Sequence, residues 1–487
     1  MSTRAPLRIA VIGAGPAGIG AGYQLRQQGF EDFTIFEKAP AAGGTWHLHT
    51  YPGLACDVWA HSYTFSWRPN PDWTANFVEQ PEIEAYLQEC VREFGLQPKL
   101  ELNTRITKAT WDESRHWVLE SRDGRSWEFD VVINAMGNQH TPLWPDVPGR
   151  DSFAGDFWHA TRWNHDVPLA GKKVVVVGSA ASAVQIVPEL AKVAGHLTVL
   201  QRTPNWIMPR GRVEYSERRR GWFRRFPPFL RATRRVQHLL MSFVHQAATI
   251  GHKRMGDFEK RAKKYIASVI EDPALREAVT PKSQYACKRG LVSDDFYPAL
   301  LRENVELVAD GLAEVRPAGI VTSGGREIDA DVIVYCTGYR ILDFDRIDVH
   351  GRDGLSLADA MAAAPEAHKG IAAPGFPNWF FAVGPNGLVL SVPYFKTVER
   401  NLASIVGLLA EKQGRGVRSL EVKRSAHQAY NEWMGTQFPL YSWASPSCNS
   451  YYQTAEGRAP FLFPGTFQQY EDFHEELSLE EFETEAA

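Results

Sequence analysis

No apolar run in the chain reaches the roughly 18 residues that a membrane-spanning helix requires, so the sequence predicts no transmembrane segment. The N-terminal residues lead directly into a short apolar strand and lack the apolar stretch and cleavage site of a signal peptide. Only five cysteines are present and they form no C-x-x-C pair, which is typical of a reducing compartment and argues against a dithiol redox enzyme. We therefore expect a cytoplasmic protein.

A large excess of charge of one sign is also missing. The 53 basic and 57 acidic residues give a formal net charge of −4, which provides no electrostatic footprint for nucleic acid. We expect neither a nucleic-acid partner nor a metal site. What the chain does have is length: 487 residues, 44% of them hydrophobic, are too many for one compact core and predict two or more domains.

Strand and helix patterns alternate in two parts of the chain, and each part begins with a strand, a glycine-containing turn and a helix. Short apolar runs predict strands at 7–12, 33–38, 130–134, 173–178, 197–202 and 331–338. Helices are predicted after the two turns, ending near Gln28 and near Ala194. This alternation predicts an α/β fold with two Rossmann-like dinucleotide-binding domains.

The alternation stops between residues 211 and 285, where the sequence predicts a helical insertion rich in arginine and aromatic residues. The basic residues of this insertion could bind a membrane surface or an anionic partner. A solvated helical cap, with arginine stems lying over apolar side chains, would have the same composition. The acidic end of the chain, 471–487, predicts a frayed surface helix or tail.

The first turn, GAGPAG, has the spacing of a dinucleotide-binding loop. Gly13 allows the tight turn, Gly15 lets the backbone approach a pyrophosphate, and Gly18 allows the helix to pack closely on the strand. Glu37, at the end of the next strand, has the position of the acid that hydrogen-bonds an adenosine ribose. The pattern predicts a dinucleotide whose pyrophosphate lies at the helix N-terminus.

The second turn, GSAASA, keeps Gly178 but has Ala180 where the pattern has its second glycine, which places a methyl group near the pyrophosphate. We expect Gly178, Ser179 and Ser182 to contact a second dinucleotide. Arg202 stands near the end of the following strand, where an NAD site carries an acid. Because a guanidinium binds a 2′-phosphate and a carboxylate repels it, the sequence favours NADPH over NADH, unless Arg202 is an ordinary surface arginine.

Residues 43–46 read G-G-T-W, and Y-P-G and C-D-V follow within a few residues. These features resemble the type I Baeyer–Villiger monooxygenases, and the resemblance covers almost the whole chain. It implies that the first domain binds FAD, with Gly44, Thr45, Trp46 and Tyr63 among the residues that contact the cofactor.

A second motif of that family, F-x-G-x-x-x-H-x-x-x-W, fits Phe153, Gly155, His159 and Trp163, although Asn164 follows where the family has proline or aspartate. Related flavin monooxygenases that oxygenate nitrogen and sulfur typically end this motif in another aromatic residue, so Trp163 favours the Baeyer–Villiger branch. The motif lies between the two predicted domains. We interpret it as a joint, with His159 in a structural role and not a proton-transfer role.

The resemblance also implies a reacting centre. Arg289 matches the arginine that stabilises the flavin C4a-peroxide and the tetrahedral adduct, and Asp57 matches the carboxylate that orients it. A cap of a local turn is the alternative role of Asp57. Lys288 matches a residue that assists Arg202 at the 2′-phosphate, unless it is a surface-loop lysine. Tyr451 takes the place of tryptophan in the family's mobile C-terminal loop, usually C-x-S-W-Y.

The implied reaction uses FAD, NADPH and O2 to insert one oxygen atom next to the carbonyl of a small ketone. Two alternatives remain: an enzyme that oxygenates nitrogen or sulfur with the same cofactors, and a nucleotide-sensing protein without turnover. We expect a monomer or dimer. The FAD-binding domain is expected to comprise 1–143 and 338–487, and the linker with the NADP-binding domain 144–210 and 286–337, with the helical insertion at 211–285.

Overall fold

The computed structural model describes residues 6–112, 114, 116–341, 343–448, 450, 452–454 and 458–486. Two five-stranded parallel sheets form its centre, and helices cover their faces. This is the predicted α/β fold. None of the described helices is both long and apolar enough to span a membrane.

The first sheet has its strands in the order Trp379–Phe381, Val131–Asn134, Ile9–Ile12, Phe33–Phe36 and Leu100–Glu101. All adjacent strands run parallel. The central strand reads IAVI and is buried along its whole length, as expected for a strand covered on both faces. Helix Pro16–Gln27 follows its glycine turn and packs against the long helix Tyr394–Arg415.

The second sheet has its strands in the order Val305–Val308, His196–Leu200, Lys173–Val177, Val332–Tyr335 and Asp156–His159. Its strands are also all parallel. The last of them lies inside the F-x-G-x-x-x-H-x-x-x-W motif. Part of the predicted joint is therefore an edge strand of the second sheet, and a 3-10 turn, Ala160–Arg162, follows it.

The remaining strands form four small sheets. A mixed sheet contains Asp348–His350, Ile106–Trp111, Trp117–Ser121 and Ser126–Phe129, and an antiparallel one contains Leu312–Arg316, Gly319–Thr322 and Glu327–Asp329. The two-stranded sheets are Ile207–Met208 with Leu291–Val292, and Val417–Val422 with Phe482–Ala486.

The predicted helical insertion is confirmed. Its helices are Glu217–Arg225, Pro227–Ala248, Lys253–Val269 and Pro273–Val279. Local signals start them: the Ser216 hydroxyl accepts a hydrogen bond from the Arg219 backbone N–H, and the Asp272 carboxylate accepts from two backbone N–H groups of the last helix. Proline at the first position of two of these helices also favours a helix start. The backbone N–H that proline lacks would have no partner within the helix at that position.

Other helices cover the sheets or connect them. The α-helices are Thr45–Leu48, Gln80–Glu93, Ala181–Leu190, Phe296–Leu300, Leu357–Ala363, Arg424–Gln437 and Phe467–Glu475. The further 3-10 turns are Gln97–Lys99, Arg150–Ser152, Arg352–Gly354, Phe438–Leu440, Ser442–Ala444 and Leu479–Glu481. The helix after the second turn ends at Leu190, earlier than the predicted end near Ala194.

The prediction for the C-terminal residues was correct only for 471–475, which complete helix Phe467–Glu475; the residues that follow are not a frayed tail. Strand Phe482–Ala486 pairs antiparallel with Val417–Val422, and the side chains of Leu479 and Phe482 are buried. Glu481 is within this region and accepts a hydrogen bond from the Lys369 ammonium at 2.7 Å. Acidic composition suggested a solvated tail, but the apolar residues between the acidic ones find a core and an edge strand.

The strands of the two parallel sheets come from separate parts of the chain. Those of the first sheet lie within 9–134 and 379–381, and those of the second lie within 156–335. This distribution supports our proposal that 1–143 with 338–487 and 144–210 with 286–337 are two dinucleotide-binding domains.

Candidate functional site

The first glycine turn, 13–18, leaves its backbone without side chains at three glycines, at the start of helix Pro16–Gln27. We call this stretch the glycine ledge. Gly13 has a φ of 105°, and a Cβ atom there would lie 2.7 Å from the carbonyl oxygen of Ala135. A Cβ atom at Gly44 would lie 2.8 Å from the Cα atom of Gly15. A Cβ at Gly18 would overlap the Gly13 carbonyl. No described side chain caps the helix, so its N-terminus faces this ledge uncapped.

Glu37 lies beside this ledge and is only 6% exposed. One of its carboxylate oxygens accepts from the backbone N–H of Ala14, and the other accepts from the backbone N–H of Ala39, each at 2.9 Å. A carboxylate oxygen can accept a second hydrogen bond. Glu37 can therefore bind the turn and a ribose hydroxyl at the same time.

The G-T-W segment reaches the same region. Thr45 is the first residue of the short helix Thr45–Leu48, and the Trp46 indole N–H donates to the Tyr63 hydroxyl at 3.1 Å. The Tyr63 ring packs edge-on against Phe395, and burial raises the pKa of its hydroxyl. The structure thus brings together the residues that the resemblance implied. The glycine ledge, the helix N-terminus and the Glu37 carboxylate fit the pyrophosphate and ribose of a dinucleotide such as FAD.

The second turn, 178–183, has a similar position before a helix but contains only one glycine, where the first turn contains three. Gly178 has a φ of 111°, and a Cβ atom there would lie 2.6 Å from the carbonyl oxygen of Cys336. The carbonyl of Ser179 accepts from the Asn205 side chain at 3.0 Å. Burial raises the pKa of the Tyr51 and Tyr339 hydroxyls, and the nearby Ser182 hydroxyl lowers both, which places Ser182 close to these two side chains. The start of helix Ala181–Leu190 has no side-chain cap from a described residue and fits a second pyrophosphate.

Two cations stand beside this second turn. The Lys288 ammonium donates a hydrogen bond to the Thr203 hydroxyl, next in sequence to Arg202. Burial lowers the pKa of Lys288, and the positive charge of Arg202 lowers it further. Like charges repel each other, and an anion bound by both side chains would relieve the repulsion. The structure therefore brings Arg202 and Lys288 together in an arrangement that fits a phosphate.

Arg289 and Asp57 form a two-pronged ion pair. The Arg289 Nε donates to Asp57 Oδ2 at 2.9 Å, and its Nη2 donates to Asp57 Oδ1 at 2.6 Å. Their side chains are 39% and 24% exposed. Such fork-to-fork pairing fixes the plane of the guanidinium as well as its position. The carboxylate of Asp57 is used for this pair, although 232 residues separate it from Arg289.

A disulfide bond lies next to this pair, contrary to the expectation from the scattered cysteines, which suggested a reducing compartment where such bonds are rare. Cys287 and Cys448 are bonded, with their Cα atoms 5.4 Å apart and a sequence separation of 161. The bond holds the segment just before Arg289 to the C-terminal segment. The Ser442 hydroxyl donates a hydrogen bond to the carbonyl of Tyr285 at 2.8 Å and reinforces this connection. Tyr451 lies outside the described residues.

The joint motif is packed as a structural element. Phe153 is buried in the core of the second sheet, and a Cβ atom at Gly155 would lie 2.8 Å from the Phe153 ring. The rings of Trp163 and Trp158 pack edge-to-face with centroids 5.5 Å apart. Burial lowers the pKa of His159 to about 4, so the imidazole is neutral at pH 7. Its Nδ1 accepts from the Thr161 backbone N–H at 3.2 Å, which supports a structural role.

The sequence did not reveal a close contact between the two parallel-sheet units. The Gln185 side chain donates to the carbonyl of Ala55 at 2.8 Å and accepts from the Tyr51 hydroxyl at 3.1 Å. Gly53, with a φ of 78°, lets the two backbones meet there, because a Cβ atom would overlap the Gln185 carbonyl. A P-G dipeptide such as 52–53 is typical of a turn, but nothing in the sequence indicates its partner.

Comparisons with known proteins agree with this geometry. The family model described as pyridine nucleotide-disulphide oxidoreductase matches residues 10–253. A Baeyer–Villiger monooxygenase of Pseudomonas aeruginosa is 39% identical over 94% of this chain and 88% of that protein. One of Streptomyces coelicolor is 37% identical over 98% of this chain and 92% of that protein.

Solved structures show the same fold over almost the whole chain. The closed crystal structure of cyclohexanone monooxygenase superposes with a TM-score of 0.88 at 26% identity and covers all of both chains. Cyclohexanone monooxygenase from Rhodococcus sp. Phi1 bound to NADP+ has a TM-score of 0.89 at 25% identity, covering 99% of this chain and 100% of that one.

The disulfide generates a prediction about thiol number. Protein purified in air without reductant, unfolded and treated with iodoacetamide should carry three alkyl groups, on Cys56, Cys90 and Cys336. After reduction it should carry five, because Cys287 and Cys448 become available. Mass spectrometry of the peptides gives both numbers. A Cys448→Ser variant should carry four with and without reductant; five groups on the unreduced protein would disprove the bond.

Proposed function

The chain belongs to the Baeyer–Villiger monooxygenase family, and on that premise we propose that it inserts one oxygen atom of O2 beside the carbonyl of a small ketone to give an ester or lactone. The protein is a flavin monooxygenase whose cofactors are FAD and NADPH. The two-pronged pair of Arg289 and Asp57 is the observation that carries the proposal, because it holds a permanent cation at the implied reacting centre.

FAD fits the first glycine turn, with its pyrophosphate at Gly13 and Gly15, its adenosine ribose at Glu37, and Trp46 and Tyr63 nearby. When bound, FAD would supply the redox chemistry that links NADPH and O2 to oxidation of the ketone. The protein's own part is to position the reactants, keep water away and stabilise charge.

Arg289 is proposed as the group that stabilises this charge. Attack on a carbonyl turns its oxygen into an oxyanion, and a fixed cation beside it lowers the barrier more than a mobile one. A guanidinium donates hydrogen bonds and keeps its proton at neutral pH, whereas an ammonium loses its proton far more readily. Asp57 is a positioning residue, because it holds the Nε and Nη2 edge of Arg289 and so fixes the direction of the guanidinium.

NADPH is proposed to bind at the second turn, with its 2′-phosphate between Arg202 and Lys288. Lys288 and Arg289 are adjacent in sequence, so the residue that binds the phosphate and the residue that stabilises charge share one backbone segment. The Lys288 side chain reaches Thr203, while the Arg289 side chain reaches Asp57. Binding of the dinucleotide therefore supports the position of Arg289 directly.

The apolar part of the ketone is proposed to contact a cluster of aromatic and aliphatic side chains near Arg289. Leu388, Leu390 and Val292 pack against a buried cluster that contains Trp443 and Tyr285. These residues come from three separate segments of the chain. Apolar lining of this kind favours small hydrophobic ketones, because it cannot pair with additional polar groups.

Changes at Arg289 test the proposal. Arg289→Ala should lower the rate of ester formation by about 100- to 1000-fold, the range expected when a charge-stabilising donor is removed. NADPH oxidation should continue and yield hydrogen peroxide, because hydride transfer does not need this guanidinium. Arg289→Lys should not restore ester formation, since lysine cannot reproduce the two-pronged pair with Asp57.

Ester is measured by gas chromatography over a panel of cyclic, linear and aryl ketones, with NADPH consumption followed in parallel. Arg302→Ala, at an exposed position, is the matched control and should leave both rates unchanged. Ester formation that survives in Arg289→Ala would contradict the role of Arg289. Turnover of sulfides or amines with no ester from any ketone would instead indicate an enzyme that oxygenates nitrogen or sulfur.

Changes at the two cations test the nucleotide assignment. Arg202→Ala and Lys288→Ala should each raise the KM for NADPH by about 10- to 100-fold, the effect of losing one charge-assisted hydrogen bond. The KM for NADH should stay unchanged, because NADH has no 2′-phosphate. Lys282→Ala, at an exposed lysine six residues before Lys288, is the control. Equal effects on NADPH and NADH would show that these residues do not bind the phosphate.

A further inference from the structure

Exposed apolar side chains are concentrated in the helical insertion. Of the 13 large hydrophobic side chains that are exposed among the described residues, seven lie between 222 and 250. They are Trp222, Phe226, Phe229, Val236, Leu239, Leu240 and Ile250. Single exposed apolar residues are common on any protein, but a group of this size in one segment indicates a binding surface.

The charged residues of the same segment are all basic. Between residues 218 and 256 the sequence contains ten lysines and arginines and no aspartate or glutamate. The rest of the chain must therefore carry the acidic excess that gives the net charge of −4. Arg218, Arg231 and Arg235 are exposed, and no described carboxylate forms an ion pair with them. These guanidiniums are available to an anionic partner.

Helix Pro227–Ala248 places both kinds of side chain on one face. Residues four positions apart lie above one another on a helix, and 231, 235 and 239 form such a row next to 232, 236 and 240. All six are exposed, whereas Leu230, Gln237 and Met241 are buried on the opposite side. Val236 is 56% exposed and Leu239 is 62% exposed, on a face where a solvated helix would carry polar residues. We call the six exposed residues of these two rows, together with Arg218, Trp222, Phe226 and Phe229, the basic apolar face.

We propose that the basic apolar face binds the surface of a lipid bilayer that contains anionic phospholipids. Helix Pro227–Ala248, about 33 Å long at 1.5 Å per residue, would lie along the membrane plane. Its apolar side chains enter the boundary between headgroups and acyl chains, and Arg231 and Arg235 bind phosphates of the headgroups. The exposed Trp222 ring stacks on Phe226 with centroids 4.8 Å apart, and aromatic rings favour this interfacial depth.

The charge pattern favours a bilayer over a second copy of this chain. A self-complementary interface requires acidic groups to meet the basic ones, and the face carries none. The buried side of the helix is also anchored: the Arg234 guanidinium hydrogen-bonds to the Thr64 hydroxyl and donates to the Phe65 carbonyl. The helix can therefore press against a membrane without leaving the body of the protein.

Co-sedimentation of the holoenzyme with lipid vesicles tests the proposal. Vesicles of phosphatidylcholine with roughly 30% phosphatidylserine should bind the protein, and pure phosphatidylcholine vesicles should bind it at least about tenfold less. High salt should reduce the binding to the anionic vesicles, because it screens the guanidiniums. Arg231→Glu with Arg235→Glu should reduce binding at least about tenfold, and so should Val236→Ser with Leu239→Ser.

Two control variants match these changes at exposed positions elsewhere. Arg122→Glu with Arg302→Glu makes the same change in net charge, and Val193→Ser with Leu301→Ser removes equivalent exposed apolar groups. Both should bind vesicles like the unchanged protein. Bound FAD and NADPH oxidation, measured for all four variants, confirm that each one is folded.

Three results would overturn the proposal. One is equal sedimentation with anionic and pure phosphatidylcholine vesicles, and another is equal loss of binding in the control and test variants. The third comes from light scattering without lipid: a dimer that Val236→Ser with Leu239→Ser dissociates would show that this face joins two copies of the chain.

Discussion

The position of the Arg289 guanidinium depends on contacts that three consecutive residues make in three directions. Cys287 is bonded to Cys448 in the C-terminal segment, Lys288 reaches Thr203 beside Arg202, and Arg289 pairs with Asp57. A side chain as long as arginine has many rotamers in solution, and fixing it costs conformational entropy. The contacts on both sides of its backbone reduce that cost, because the segment is already held before substrate arrives.

Each of these contacts joins a different part of the chain to residues 287–289. Asp57 belongs to the unit of the first parallel sheet, Arg202 follows a strand of the second, and Cys448 lies near the C-terminus. The closely packed contact between Gly53 and Gln185 holds the first two parts together in the same region. Assembly of the charged centre is thus a consequence of how the two units pack, and a small shift between them would separate Arg289 from its carboxylate.

Much of this architecture could be predicted from the sequence, because buried parallel strands and glycine turns have strong local signals. Lys173–Val177 reads KVVVV, which is typical of a buried parallel strand. The turn GAGPAG, placed directly after another buried strand, predicts a dinucleotide-binding loop. The pairing of Asp57 with Arg289 followed only from family resemblance, since 232 residues separate them. The disulfide and the C-terminal strand could not be predicted, because each depends on a partner that only the tertiary fold brings near. The acidic residues at 480–485 suggested an exposed segment, so the apolar contacts of that strand were not expected.

The central claim, that this fold transfers one atom of O2 into a ketone, is tested most directly by isotope labelling. The holoenzyme is supplied with NADPH, a ketone and ¹⁸O2 in ordinary water, and the product is analysed by mass spectrometry. We predict an ester or lactone that contains one ¹⁸O atom in its ring or ester linkage, with one NADPH consumed for each product molecule. Product without the label, or NADPH consumption that yields only hydrogen peroxide with every ketone, would contradict the account.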